Sequence, residues 1–217
     1  MSKFGNWFES RIALSEKVSR SVDALCSIVH VLGLGMALSA VIPLASRAVE
    51  PRREFWAVLV YGASLCLMFA VSAIYHGLKP SLAKRMLRFM DHNVIYVLIA
   101  GTYTPYAAAM GNSGRLLLII IWLLAATNIV FNILFWDRFK FFHLFTYLFM
   151  GWLIVFFWRD LRAVASSEQI RWMLAGGFLY TAGLFFYVRT SIPKAHLIWH
   201  LFVIAGAAGL HVGIALR

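Results

Sequence analysis

The sequence predicts an all-α membrane protein, a seven-transmembrane helix bundle with its N-terminus cytoplasmic and its C-terminus outside. Three observations predict it. First, the 217 residues are 62% hydrophobic and only 13% charged, against about 25% charged in an average soluble domain. A soluble fold of this size could not hide so much apolar surface. Second, apolar runs of about 20 residues, the length that crosses a bilayer, recur along the chain with short connections. Third, the basic residues sit in those connections and are shared unevenly between the two sides.

The elements follow in order. Residues 1–21 are mixed in polarity and read as a cytoplasmic N-terminal segment. The first apolar run is long and lacks a convincing cleavage site, so it reads as a span and not as a signal peptide. Spans are expected at 22–46, 54–76, 91–110, 115–135, 141–158, 171–188 and 195–216. Trp56, Trp136, Trp158 and Trp172 fall near span ends, where an aromatic belt places them. The chain carries no internal repeat and reads as a single domain over residues 1–217. Its short connections suit sequential antiparallel packing.

With the N-terminus inside, twelve of the 20 Lys and Arg residues fall on the cytoplasmic side, among them Lys79, Lys84, Arg85 and Arg88. The remaining eight fall outside, which favours this orientation. The formal net charge of +11 therefore points to anionic lipid headgroups as partners and not to nucleic acid. The expected location is the cell (inner) membrane, multi-pass. Cys26 and Cys66 lie in apolar runs, with no CxxC motif and no disulfide framework.

Other features have packing roles. The basic loop GLKPSLAKRMLRF, residues 77–89, reads as a short interfacial helix on the inner leaflet or as an ordinary positive-inside loop. Gly206, Gly209 and Gly213 allow close helix approach on the last span. Asn128 and Asn132, one turn apart, read as hydrogen-bond glue between helices.

Four ionisable residues coincide in depth. His76 ends the second span, Asp91 opens the third, and His196 and His200 open the seventh in HLIWH. Span parity puts all four near one face, and four-residue spacing puts His196 and His200 on one side of their helix. Each has an ordinary reading alone: a hydrogen bond between helices, an interfacial cap, an ion pair of Asp91 with Arg88. Together they fit zinc. Neutral imidazoles ligate zinc well, and three protein ligands leave a position open for water, the mark of a catalytic site. Bound zinc lowers the pKa of that water to about 7. Asp91 would orient the water or take its proton, and bound directly it would instead be a fourth ligand that closes the site. Ser72, four residues before His76, would support a ligand or a developing oxyanion. His92 points about 100° away from Asp91 on a helix. His211 belongs near the outer face, His30 lies inside the first span, and His143 is the best candidate for an additional participant.

The segments SAIYH, RFMDHNVIYVLIAGTYTPY and HLIWHLFVIAG resemble, in order, motifs of the hemolysin III family. This is the bacterial branch related to the progestin and adipoQ receptors. The resemblance implies a seven-helix bundle with a zinc site near the inner face. It carries zinc ligation onto His76, His196 and His200, the water-holding carboxylate onto Asp91, and the supporting hydroxyl onto Ser72. His211 stands eleven residues after His200, one more than the family spacing, and nothing is carried onto it. Adiponectin-receptor relatives are linked to ceramide amide hydrolysis, so the resemblance implies a zinc-dependent hydrolase acting on a lipid-like amide or ester. The alternative is a non-enzymatic sensor, receptor or pore with a structural zinc, serving membrane homeostasis. The sequence leaves oligomeric state, substrate and ligand open.

Overall fold

The computed structural model describes residues 7, 9–14, 18–47, 52–136, 138, 140–189 and 191–216. Among them the regular structure is helical, without a strand: α1 (Arg20–Arg47), α2 (Arg52–Gly77), α3 (Leu82–Ala109), α4 (Gly111–Phe135), α5 (Lys140–Trp152), a 3₁₀ segment (Leu153–Phe157), α6 (Trp158–Val164), α7 (Ser167–Val188) and α8 (Ala195–Ala215). Five stretches are long and apolar enough to cross a membrane: α1, Glu54–Gly77, α4, Phe142–Val164 and α8. α3 and α7 have comparable length, with 28 and 22 residues. They are more polar, α3 through Asp91, His92, Asn93, Thr102 and Thr104 and α7 through its Ser167–Arg171 start.

Consecutive helices pack side by side, α1 on α2, α2 on α3, α3 on α4 and α7 on α8. α1 also packs on α8, which brings the start of the chain to its end. α5 joins more loosely, against α3, α4 and α7. The outward faces are strongly apolar: Ile42 is 65% exposed, Leu123 61% and Phe156 76%. Large apolar side chains standing outward all around a bundle have hydrocarbon, not water, as their favourable surroundings. The chain is a multi-pass membrane protein.

Local chemistry explains the helix ends. Ser81 caps α3, its hydroxyl accepting from the Lys84 N–H at 3.2 Å. Ser166 and Gln169 form a reciprocal capping box at the start of α7. The Arg20 guanidinium closes the end of α2 by donating to Gly77 O at 2.9 Å and Leu78 O at 2.6 Å. Only Met110 separates α3 from α4, and Gly111, at φ 61°, makes that turn in a conformation glycine tolerates best.

Two expectations change. Residues 82–89 do not form a separate interfacial helix. Ser81 starts a helix that runs unbroken to Ala109, so the basic run is the first two turns of α3. The expected span at 141–158 is not one regular helix either, because it passes through 3₁₀ geometry at Leu153–Phe157. The Tyr103 hydroxyl from α3 enters this break, within 2.8 Å of Met150 O and 2.9 Å of Gly151 O, and accepts from Ile154 N–H at 3.0 Å. A broken helix leaves backbone groups unpaired, and in an apolar interior a neighbour must satisfy them.

The polar packing residues have specific partners. Asn132 donates to Asn93 Oδ1 at 3.1 Å, tying α4 to α3. Asn128 donates to Leu124 O on its own helix, at 2.8 Å, and faces the Met150 sulfur at 3.9 Å. At Gly209, an added Cβ would lie 3.3 Å from the Gly176 backbone, so α7 and α8 cross at nearly backbone contact.

Candidate metal centre

Three chain segments meet at one end of the bundle. α2 ends with His76, α8 begins with His196 and His200, and α1 begins with Asp23 and Cys26. Lys194, at φ 56°, turns the chain into α8 and leaves His196 in its first turn. The donor atoms of Cys26, His76, His196 and His200 all lie within 4.8 Å of one another. His200 Nε2 and His196 Nε2 are 3.1 Å apart. The His76 ring centroid lies 5.2 Å from that of His196 and 4.8 Å from that of His200. His76 and His200 are buried, at 1% and 4% exposure.

This cluster passes a chemical test for a metal. His76 Nδ1 donates to Asp23 Oδ1 at 2.9 Å. The other ring nitrogen, Nε2, is buried without a hydrogen-bond partner. An orphaned buried imidazole nitrogen is costly unless something takes its lone pair. Two nitrogens on one tetrahedral zinc stand about 3.4 Å apart, close to the separation of the His196 and His200 pair. Imidazole with or without a thiolate is a donor set that suits a borderline-soft ion such as zinc.

The sequence-derived site residues divide. His76, His196 and His200 come together. Asp91 stays outside the group of four and lines the adjoining cavity with His196 and His200. Ser72 is buried one helical turn before His76. His92 is directed elsewhere, its Nδ1 donating to Arg88 O at 2.8 Å. His211 pairs with the Tyr61 hydroxyl at 3.2 Å. His143 lines the cavity and meets the Tyr96 hydroxyl at 3.1 Å, outside the cluster.

Sequence reasoning passed over three residues of α1. Asp23 touches His76, Cys26 joins the donor group, and His30 Nε2 meets His200 Nδ1 at 2.6 Å. Their spacing, D-x2-C-x3-H, was the available signal, because positions i, i+3 and i+7 share one helix face. Lys84 anchors the arrangement from α3. Its ammonium donates to Asp23 Oδ2 at 2.7 Å and to Leu78 O at 3.0 Å, and lies 5.1 Å from the centroid of the Tyr75 ring.

A cavity of about 900 Å³ opens beside the histidines. Its wall carries Asp91, Lys84 and Arg88 together with apolar residues such as Leu98, Met173 and Leu184.

The sequence matches the haemolysin-III related family over residues 20–211, a stretch that contains every residue of this centre. The chain belongs to the haemolysin III family. It is 36% identical over 189 residues to the Hemolysin-3 homolog of Bacillus subtilis (strain 168), covering 85% of this chain and 88% of that one. It is 36% identical over 204 residues to Hemolysin-3 of Bacillus cereus, covering 90% and 93%. It is also 33% identical over 165 residues to the human monocyte to macrophage differentiation factor, covering 70% and 66%. Membership in the haemolysin III family agrees with the resemblance carried by SAIYH, RFMDHNVIY and HLIWH.

Proposed function

We propose that this haemolysin III protein is an intramembrane zinc-dependent hydrolase acting on a lipid-like amide or ester. The supporting observation is the grouping of three histidines, His76 and His200 buried and His196 half-buried, beside a cavity of about 900 Å³ that His196, His200 and Asp91 line. Zinc held by these histidines would supply a water acidified to a pKa of about 7 and a Lewis acid for the scissile carbonyl. In this reading α3 and α7 also span, giving seven spans, with the centre on the cytoplasmic side and the C-terminus outside.

The protein's own residues do the rest. The apolar part of the cavity takes the acyl chain and holds the carbonyl at the histidine end. Asp91 accepts a proton from the attacking water and returns it to the leaving nitrogen or oxygen. Water oxygen thus bonds to the acyl carbon as the C–N or C–O bond breaks, and Asp91 ends as it began. Ser72, one turn before His76, supports the histidine end of the site. Burial excludes competing bulk water from the carbonyl.

One observation favours a second reading. Cys26 completes a group of four donors with the three histidines, and four protein ligands make a closed, structural site. In that case the protein is a membrane sensor, receptor or pore stapled by zinc. Asp91→Asn separates the two. The hydrolase reading expects it to keep zinc and to lose about 10²–10⁴-fold in turnover of ceramides, acyl amides or phospholipid esters in detergent micelles. A zinc-loaded wild type inert toward all three classes supports the sensor.

A further inference from the structure

We infer that α1 forms the outer shell of the metal centre, with Asp23 and His30 each holding the Nδ1 of a ligand histidine so that His76 and His200 both present Nε2. The inference rests on the metal reading above and adds two positioning residues to it. An imidazole has two nitrogens, and only the one without a proton can bind a metal. Something must therefore decide which nitrogen carries the hydrogen. Asp23 decides it for His76: a carboxylate accepts only, so Nδ1 is the protonated nitrogen and Nε2 keeps its lone pair. That Nε2 is buried without a hydrogen-bond partner.

The same logic applies on the opposite wall. His200 Nε2 faces His196 Nε2 at 3.1 Å, and His200 Nδ1 faces His30 Nε2 at 2.6 Å. With His200 Nε2 turned to the ion, Nδ1–H donates to His30. The two contacts come from one face of one helix, seven residues apart. Lys84 holds the Asp23 carboxylate in place by taking its second oxygen, at 2.7 Å. A purely structural ion pair would need only Lys84 and Asp23. Its extension onto a ring whose other nitrogen is buried without a partner, beside the rings of His196 and His200, is what marks a second purpose. Outer carboxylates on metal-binding histidines fix ring orientation and raise ligand basicity, and losing one costs about 10–100-fold in metal affinity.

The test uses the full chain in detergent, with zinc as the probe. Zinc affinity is read by competition with a chelator, cobalt(II) absorption reports ligand geometry, and thermal unfolding of the metal-free protein reports fold integrity. Asp23→Asn is expected to lower zinc affinity by about 10–100-fold and to alter the cobalt bands. His30→Leu is expected to do the same. His30→Gln, whose side-chain oxygen accepts where Nε2 did, is expected to restore affinity. Variants that lose thermal stability while keeping wild-type zinc affinity and cobalt bands overturn the outer shell and leave the metal reading standing. Loss of affinity in His30→Gln equal to that in His30→Leu overturns the role of His30. A wild type that takes up no zinc overturns both readings, so the two failures are told apart. Should Asp23→Asn not fold, the His30 pair decides alone.

Discussion

The Tyr103 hydroxyl on α3 accepts a hydrogen bond from the backbone N–H of Ile154 at 3.0 Å, inside the break that follows α5. The same hydroxyl faces the carbonyls of Met150 and Gly151, so one side chain serves three backbone groups freed by the break. The break in turn shapes the cavity, because Tyr103, Gly151 and Ile154 all line it.

Tyr103→Phe keeps the ring and removes only this hydroxyl. Leaving buried backbone groups unsatisfied costs about 1–3 kcal/mol. The variant is expected to unfold at lower temperature in detergent, and hydrogen exchange is expected to rise at residues 150–157 before it rises elsewhere. Wild-type stability in Tyr103→Phe would mean the break is satisfied another way.

Gly209→Leu tests the α7–α8 crossing. A leucine side chain must displace the Gly176 backbone, which cannot yield as a flexible side chain does. Overpacking of this kind costs about 1–3 kcal/mol. Because α8 also carries His196 and His200, weaker metal retention is expected to accompany the lost stability. Stability unchanged in this variant would contradict the α7–α8 contact.

Orientation is tested from outside intact cells. Single cysteines placed at Lys79 and at Arg162, in a chain lacking Cys26 and Cys66, are expected to label at 162 and not at 79. The opposite pattern would invert the topology and would move the metal centre to the other face without dispersing it.

The legible parts of the molecule were those with a period or a spacing. HLIWH put two imidazoles on one face, and span parity brought His76 to them, as the structure shows. Helix positions followed from apolar runs, and the observed α1 at Arg20–Arg47 brackets the expected 22–46. Three things were not legible. The basic run at 82–89 looks alike whether the helix stops there or continues, and Ser81, an ordinary N-cap residue, was the only local sign that α3 had begun. The break at Leu153–Phe157 carries no proline, and the side chain that pairs with its freed backbone groups comes from another helix. Asp23 and His30 each look unremarkable alone, a charge at a span end and a histidine inside a span. Their partners lie 53 and 170 residues away, so only the folded bundle pairs them.

The most direct measurement is the metal content of the full chain, purified without chelators and compared with its histidine variants. One zinc per chain is expected in the wild type, with most of it lost in each of His76→Ala, His196→Ala and His200→Ala. Zinc should stay near the wild-type level in His211→Ala, whose ring pairs with Tyr61. A well-folded wild type free of stoichiometric zinc, or zinc that survives removal of any one of the three cluster histidines unchanged, would contradict the metal centre.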